Sequence, residues 1–129
     1  MPPTVVQIEF RAAANLNPNA MGEPAPLVVR VYELAAAGKF TDSDFFALFN
    51  QDLDALGADQ LARDELRFVP GAERGLDKTL QPGTRFIGVM AAYRKIDEVR
   101  WRDVLPVTPQ VVNRFAITLG ENELSAARR

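Results

Sequence analysis

The sequence predicts an all-β fold with a small helical insertion, built as a β-sandwich of about seven or eight strands. The first observation is a series of segments in which apolar and polar residues alternate, as at Val6–Ala12 and Arg114–Leu119. The second is that apolar residues repeat with a helical period at Thr41–Phe49. No internal repeat, low-complexity tract or linker divides the 129 residues, so we expect a single domain over residues 1–129.

The N-terminal part of the chain predicts two strands joined by a long loop. Alternation over Val6–Ala12 is typical of a half-buried strand. The next segment, Asn15–Pro26, contains three prolines, three asparagines and one glycine, and this turn chemistry predicts an exposed loop. Leu27–Leu34 then has apolar side chains on both faces, which indicates a strand covered by the opposite sheet on one side and by another element, for which the helix is the candidate, on the other.

One helix is expected after Gly38-Lys39. Thr41 lies three residues before Asp44, close to a capping-box pattern, so we expect the helix to begin at Thr41. An apolar stripe at i, i+3 and i+4 is expected to press on the sandwich, and it consists of Phe45, Leu48 and Phe49. We place Asp52 and Asp54 on the polar side, and Gly57 is the expected end of the helix.

The remaining segments predict further short strands and two turns. The strands are expected at Arg63–Val69, with Leu66 and Phe68 inward, at Leu76–Leu80, at Arg85–Arg94, at Phe115–Leu119 and, as an edge strand, at Asn122–Ala126. Pro70-Gly71 is expected to turn the chain. Gly88 lies in a segment that is apolar on both faces, which indicates a central strand with close packing or a bulge. We interpret Val104–Val112 as an irregular loop and a candidate for the same end of the sandwich as Asn15–Pro26.

Composition argues against several classes of function. The net charge of −2 and scattered basic residues lack the clustered positive surface that nucleic-acid binding requires. The chain has no His and no Cys, so the usual general base, the best nucleophile and the preferred zinc ligands are missing. Carboxylate pairs remain, and we interpret each as a helix cap or a solvated face: Asp42 with Asp44, Asp52 with Asp54, and Asp64 with Glu65. We therefore expect no enzyme, no cofactor and no metal.

Binding is expected in loops, because a sandwich holds its loops rigidly while their polar backbone stays in solvent. Asn15–Pro26 is the best candidate, with Leu16 and Met21 as exposed apolar residues in a proline-stiffened frame. From composition alone, the favoured interpretation is the plainer one, in which Leu16 tucks over the rim and Asn17-Pro18 forms a turn. Arg100-Trp101-Arg102-Asp103 is a second candidate, although a sole Trp is more often part of a core.

Several motifs, taken in order, resemble one family. The loop reads Leu16-Asn-Pro-Asn19 and then Gly22-x-Pro24, and it is followed by a Val-Arg-Val-Tyr-x-Leu strand ending at Leu34. An Asp-Phe-Phe-x-Leu-Phe helix start, a Pro-Gly-Thr strand entry at Pro82 and the pair Trp101-Arg102 complete the series. At these spacings the chain, from about Val6 to about Leu124, resembles the outer-membrane lipoprotein of type VI secretion systems, TssJ or SciN.

The resemblance implies a transthyretin-like sandwich in a periplasmic lipoprotein. Members of that family are made with a signal peptide and a lipid-bearing cysteine before the mature domain. Met1-Pro2-Pro3 is not a signal peptide's opening, and no run approaches the roughly 18 apolar residues that span a bilayer. We therefore expect the chain to be the mature domain without those elements, anchored in nature to the periplasmic side of the outer membrane of a Gram-negative bacterium.

The resemblance also implies a partner, the periplasmic C-terminal region of the inner-membrane protein TssM. The corresponding loop contributes to that contact in the family, so the expected partner-binding residues are Asn15, Leu16, Asn17, Pro18, Asn19 and Met21. Neither nucleic acid nor a small-molecule substrate is expected. The alternative is a free periplasmic sandwich that binds a small ligand or carbohydrate, for which aromatic rings around a concave surface would be diagnostic. An enzyme is the third hypothesis.

Overall fold

A computed structural model of the chain describes residues 2–129, which form eight strands and two α-helices. The strands are β1 (Val5–Ala12), β2 (Leu27–Leu34), β3 (Gln60–Phe68), β4 (Glu73–Thr79), β5 (Phe86–Ala91), β6 (Arg102–Pro106), β7 (Val112–Leu119) and β8 (Leu124–Arg128). The helices are α1 (Gly38–Asp42) and α2 (Phe45–Leu56), both between β2 and β3. This architecture confirms the predicted all-β fold with a small helical insertion.

The strands form two four-stranded sheets, ordered β4-β1-β7-β8 and β3-β2-β5-β6. All neighbouring strands within the sheets are antiparallel except β1 and β7, which run parallel with Val5 opposite Val112. β5 lies between β2 and β6, which confirms that it is a central strand. β8 is an edge strand, as predicted.

The main core lies between the two sheets and follows the predicted alternation. From β1 it takes Val6, Ile8, Phe10 and Ala12; from β7 it takes Phe115, Ile117 and Leu119. β3 contributes Leu66 and Phe68, the two residues predicted to point inward. Each of these side chains is removed from water, and burial of apolar area is the main favourable term in folding.

Helix α2 covers the outer face of the β3-β2-β5-β6 sheet, which explains why β2 is apolar on both faces. A second apolar cluster fills this contact and contains Tyr32, Leu34, Phe40, Leu48, Leu56 and Met90. Phe45 and Phe49 pack against it, so the predicted helical stripe is confirmed. Gly88 lets α1 approach the sheet, because a Cβ at this position would lie 2.9 Å from Leu34 Cδ1 and 3.0 Å from Phe40 Cζ.

The predicted start of the helix is wrong, because two helices replace the single one expected from Thr41. Thr41 lies inside α1, where its hydroxyl donates to the carbonyl of Gly38 (3.0 Å). The chain is extended at Ser43, and Asp44 caps α2 by accepting from the Ala47 N–H (2.8 Å). Gly57, with φ 55°, is the C-cap of α2, as predicted.

Asp52 was expected on the polar side of the helix, and this prediction is also wrong. Its carboxylate is buried against the sheet, where it accepts from the Tyr32 hydroxyl (3.1 Å) and from Arg63 Nη1 (2.5 Å). Arg30, also buried, donates to the Phe49 carbonyl (2.7 Å) and to Glu65 Oε1 (2.8 Å). Polar groups therefore join the helix to the sheet beside the apolar cluster.

The segment Val104–Val112 is not the irregular loop that was predicted, because its first three residues belong to β6, which pairs with β5. Residues 107–111 form a short connection, and Val112 is the first residue of β7. The Val5 N–H donates to the Val111 carbonyl (3.1 Å), so this connection lies where β1 begins. Asn15–Pro26 follows the end of β1, so the two segments lie at opposite ends of the sandwich, contrary to expectation.

The two ends of the sandwich differ in the segments they contain. We call one the loop end; it holds the connections after β1, β3, β5 and β7, which are residues 13–26, 69–72, 92–101 and 120–123. The other we call the N-terminal end, because residues 2–4 lie there with the connections 80–85 and 107–111; the connection 35–59, which contains α1 and α2, also starts and ends there. Buried Glu33 links the sheets near this end through an ion pair with Lys78 of β4 and a hydrogen bond from the Gln81 N–H (2.6 Å).

A candidate docking surface at the loop end

The loop 13–26 is fastened to its neighbours by backbone hydrogen bonds. The Ala13 N–H donates to the Leu119 carbonyl (2.8 Å), and the Gly71 N–H donates to the Ala13 carbonyl (3.1 Å). Further along, the Asn17 N–H donates to the Glu121 carbonyl (2.9 Å). Four connections thus meet at one end of the sandwich, and 13–26 is the longest of them.

Three of the six loop residues that were predicted to bind a partner are buried and form the base of the loop. Leu16 is fully buried in the main core, and Asn17 and Pro18 are buried beside it. The prediction that Leu16 is exposed is therefore wrong, and the plainer interpretation, in which it tucks over the rim, is correct for this residue. A leucine beside three prolines and three asparagines is driven inward by the same burial term that fills the rest of the core.

Asn17 locks the base of the loop through its side-chain amide. Its Nδ2 donates to the Pro26 carbonyl (2.9 Å), and its Oδ1 accepts from the Arg94 N–H (2.9 Å). Arg94 in turn donates from Nε to the Pro18 carbonyl (2.9 Å). Asn17 has φ 44°, a left-handed conformation that asparagine tolerates better than most residues. The loop and the 92–101 connection are therefore held together as one unit.

Asn19 shapes the tip of the loop. Its Oδ1 accepts from the N–H groups of Met21 (2.9 Å) and Glu23 (3.0 Å), and its backbone N–H donates to the Glu23 carbonyl (2.8 Å). Gly22 closes the turn with φ 80°. At the top of this turn Met21 is 84% exposed, the highest value among the large hydrophobic residues exposed within residues 2–129.

The surroundings of the tip are polar and include residues that sequence reasoning missed. Asn15 is exposed and donates from Nδ2 to Glu121 Oε2 (3.3 Å). Arg94 and Glu121 lie 76 and 106 positions from their partners Pro18 and Asn15, and no local pattern signals contacts over such distances. We call the solvent-facing part of this region the docking surface, and it comprises the exposed residues Asn15, Met21, Glu23, Arg94 and Glu121 with half-buried Asn19.

Tyr93 fixes the 120–123 turn beneath the docking surface. Its hydroxyl lies 2.8 Å from the Glu123 carbonyl and 3.0 Å from the Gly120 carbonyl, and it donates its proton to them. Burial raises the pKa of the Tyr93 hydroxyl well above its ordinary value, because the phenolate would lose its hydration. The neutral tyrosine therefore acts as a hydrogen-bond donor at this position throughout the physiological pH range.

The second candidate, Arg100-Trp101-Arg102-Asp103, has structural contacts. Trp101 is half-buried and packs edge-on against Phe45, with ring centroids 5.2 Å apart. Arg102 donates from Nη1 to the carbonyls of Phe40 (2.9 Å) and Ser43, and burial lowers the pKa of its guanidinium. Trp101 and Arg102 hold the helical insertion against the sheet. This placement agrees with the interpretation of Trp101 as part of the core.

The three carboxylate pairs have structural partners, and Arg30 connects two of them, because it bonds to Glu65 and lies 3.9 Å from Asp52. Asp44 caps α2, Asp52 binds Tyr32 and Arg63, and Asp64 accepts from Lys78 Nζ (2.7 Å). Among residues 2–129, no cluster of three or more acidic side chains is arranged to hold a metal ion. Nor does any helix in that range have the length and apolar character needed to cross a membrane.

The alternative of a ligand-binding sandwich predicts exposed aromatic rings around a concave surface. A groove of about 840 Å³ lies at the N-terminal end, and Phe86 is the one aromatic residue among the described residues that line it. Phe86 is half-buried and packs against the helix cluster. This groove thus lacks the set of rings on which a sugar would stack.

Comparison with known proteins identifies one family. Residues 4–122 match the family described as type VI secretion lipoprotein, VasD, EvfM, TssJ. The T6SS lipoprotein TssJ1 from Pseudomonas aeruginosa is 43% identical, with a TM-score of 0.95 over 99% of this chain and 98% of that one. Lip from Serratia marcescens, a membrane-bound component of the type VI secretion system, is 29% identical, with a TM-score of 0.90 over 98% of each chain.

A third solved structure is described as the T6SS protein TssM C-terminal domain from EAEC. One of its chains is 26% identical to this one, with a TM-score of 0.81 over 96% of this chain and 98% of that one. No curated protein matches the chain.

Proposed function

The chain belongs to the type VI secretion lipoprotein (TssJ, SciN) family, and from this membership we propose that it binds the periplasmic C-terminal region of TssM through its loop end. The family places the chain among the structural components of the type VI secretion system. Our proposal adds the partner and the surface: a lipoprotein domain at the periplasmic side of the outer membrane that links this membrane to the inner-membrane protein.

The observation that carries the proposal is the exposure of Met21 on a loop that is held rigid from below. Met and Arg are enriched at protein interfaces, and Met21 and Arg94 both lie on the docking surface. Side-chain amides of Asn17 and Asn19 fix the base and the tip of the loop. A surface that is ordered before binding loses less conformational entropy when a partner docks.

The geometry of the sandwich also supports the proposed orientation. Residues 2–4 enter at one end, and the docking surface lies at the other, across the eight residues of β1. A strand rises about 3.3 Å per residue, so the two ends are roughly 25 Å apart. A lipid attached before residue 2 would therefore hold the N-terminal end at the membrane and direct the docking surface into the periplasm. At least two acyl chains give stable anchoring.

Calorimetric titration of the chain with the periplasmic C-terminal region of its cognate TssM tests the proposal. Met21→Asp is expected to weaken binding about 10- to 100-fold, because a carboxylate replaces a central apolar contact. Met21 is 84% exposed, so the thermal unfolding temperature should not change. Leu16 is unsuitable as a test position, because its side chain belongs to the core.

Val112→Asp is the matched control, because Val112 is also an exposed apolar residue, 42% accessible, and lies where β7 begins at the opposite end. This variant should bind TssM as the unaltered chain does. Absence of binding by the unaltered chain at high micromolar concentration would contradict the proposal and favour the ligand-binding alternative. Equal losses in the two variants would contradict the assignment of the surface.

A further inference from the structure

The N-terminal end carries a groove with apolar walls. TssM docking at the loop end would not use this groove. The groove has a volume of about 840 Å³, and its walls come from residues 2–4, 79–86 and 106–110. Hydrogen bonds join these segments, from the Leu80 N–H to the Thr4 carbonyl (2.9 Å) and from the Val107 N–H to the Arg85 carbonyl (2.9 Å). The three segments thus form one continuous surface, which we call the end surface.

Prolines make the end surface rigid and supply much of its apolar part, beside Thr and Gln side chains. Five of the residues lining the groove are prolines, at positions 2, 3, 82, 106 and 109. Each has a fixed φ and lacks an N–H donor, so the surface presents few backbone groups that need water. Directly beside it, Val111 and Val112 are 47% and 42% exposed. Together with the prolines they extend the exposed apolar area at this end, and contiguous exposed apolar area is a feature of protein and membrane interaction sites.

The three segments of the end surface carry one basic side chain and no acidic one, and the Glu33 carboxylate buried beneath them is paired with Lys78. The chain has 17 acidic residues and a net charge of −2, but the three segments of the groove contain no Asp and no Glu. The side chain of Arg85 is exposed and makes no ion pair or hydrogen bond with the residues described, 2–129. Arg128 lies at the rim, where its Nη2 donates to the Pro106 carbonyl (2.7 Å).

We propose that the end surface lies against a phospholipid bilayer and binds its anionic headgroups. Exposed apolar side chains next to basic ones suit the boundary between headgroups and acyl chains, and each Arg near an anionic membrane surface strengthens binding. The orientation is the one that a lipid attached before residue 2 would impose, and in this respect the inference rests on the proposed function. The apolar and basic character of the end surface stands independently of that function.

The apolar part of the surface distinguishes a bilayer from a free phosphate. A free phosphate would use Arg85 but would gain nothing from Val111, Val112 or the prolines. A bilayer engages both kinds of group at once, because its anionic headgroups lie above hydrocarbon. Removing the positive charge and removing the apolar side chain should therefore both weaken binding to vesicles.

Co-sedimentation of the 129-residue chain with vesicles tests the inference. We expect binding at millimolar lipid to vesicles of phosphatidylcholine with one third phosphatidylglycerol, and loss of binding when salt screens the charges. The double variant Arg85→Ser/Val111→Ser should lower the partition coefficient about ten-fold. Arg67→Ser/Val69→Ser is the matched control, because it removes an exposed Arg and an exposed Val at the loop end and should leave vesicle binding unchanged.

Besides a lack of vesicle binding by the unaltered chain, three results would overturn the inference. They are equal binding to vesicles without phosphatidylglycerol, an equal loss in the control variant, and full competition by soluble glycerol phosphate, which would indicate a site for a free anion. The same Arg85→Ser/Val111→Ser variant is titrated with the TssM region. If the unaltered chain and this variant bind TssM but the unaltered chain binds no vesicles, the bilayer contact alone is refuted. If the unaltered chain binds vesicles but not TssM, the proposed docking alone is refuted.

Discussion

At the residue scale, two asparagines give the docking surface its rigidity. Neither belongs to a strand or helix, yet Asn17 bonds to Pro26 and Arg94, and Asn19 bonds to Met21 and Glu23. An asparagine amide carries both an acceptor and donors, so one side chain joins backbone groups that come from separate segments. The loop therefore holds Met21 in place without a ladder of strand hydrogen bonds.

Tyr93 is a second residue whose chemistry has a measurable consequence for this end. An unfolded tyrosine ionises near pH 10, whereas burial raises the pKa of Tyr93 in the folded chain. Above about pH 10 the unfolded chain releases this proton while the folded chain keeps it. The contribution of neutral Tyr93 to the free energy of unfolding is therefore complete below about pH 10 and is lost as the pH rises through the folded pKa.

Tyr93→Phe tests this pH dependence. At neutral pH the variant should lose about 1 kcal/mol of unfolding free energy, the net worth of a hydrogen bond. Above about pH 10 its stability should fall less steeply than that of the unaltered chain, so that the two curves converge. A residual slope is expected in both, because burial also raises the pKa of Tyr32. Urea unfolding at a series of alkaline pH values gives the comparison, and parallel curves would contradict the account.

Residue-level prediction from the sequence succeeded for a repeating pattern and failed for isolated positions. Residues that alternate along a strand share one face, so the inward side of β1 and β3 followed directly from the sequence. Leu16 and Met21 lie in the same loop with similar hydrophobicity, and no periodicity distinguishes the buried residue from the exposed one. Whether each residue is buried depends on which part of the loop lies over the core. Long-range contacts of the loop with Arg94 and Glu121 determine this placement.

At the element scale, the helical insertion is held to the sheet by both apolar and polar contacts. Asp52 of α2 lies at the centre of the polar part, bonded to Tyr32 and Arg63. Arg30 is nearby and 3.9 Å from the same carboxylate. Because Asp52, Arg30 and Tyr32 are largely removed from water, loss of the carboxylate leaves the other two without compensation.

Asp52→Ala should lower the free energy of unfolding by about 3 kcal/mol, because the Tyr32 hydroxyl and Arg63 lose their acceptor and buried Arg30 loses a nearby negative charge. Asp54→Ala is the matched control, since Asp54 is an exposed acid two residues later in the same helix and should change stability by less than about 0.5 kcal/mol. Urea unfolding of both variants measures the difference. Similar losses in both, or none in either, would contradict the role assigned to Asp52.

Element prediction failed where a boundary depends on tertiary contacts. Thr41 and Asp44 are both suitable N-cap residues. The extended backbone at Ser43 separates α1 from α2, and for this reason Asp44 is the N-cap of α2. Strand β6 is only five residues long and ends with Pro106. Because proline is typical of turns, the sequence of this segment predicts a loop and not a strand. It pairs with β5 through Phe86–Met90, a contact that the sequence of β6 alone does not specify.

At the scale of the whole molecule, the sandwich separates two surfaces of different character. The docking surface is polar around a single exposed methionine, whereas the end surface is rich in proline and free of acidic residues. The Glu33–Lys78 ion pair joins the two sheets near the N-terminal end. A compact sandwich between the proposed docking surface and the proposed membrane-facing surface suits a structural component that connects a membrane to a partner protein.

The fold class was predictable because strand periodicity and a single helical stripe recur along the chain. The arrangement of the strands was not, since the parallel pairing of β1 with β7 joins segments about a hundred residues apart. The order of the motifs identified the family, and the match over residues 4–122 confirms it. The organisation as a single domain over residues 1–129 stays a prediction, as does the partner-binding role of the loop.

Site-specific photo-crosslinking tests the central claim most directly. A photoreactive benzoylphenylalanine is placed at Met21 or at Val112, two exposed positions at opposite ends of the sandwich, and each chain is illuminated with the periplasmic C-terminal region of TssM. We expect a covalent product with TssM from position 21 and none from position 112. A product from position 112 alone, or from neither position, would contradict docking through the loop end.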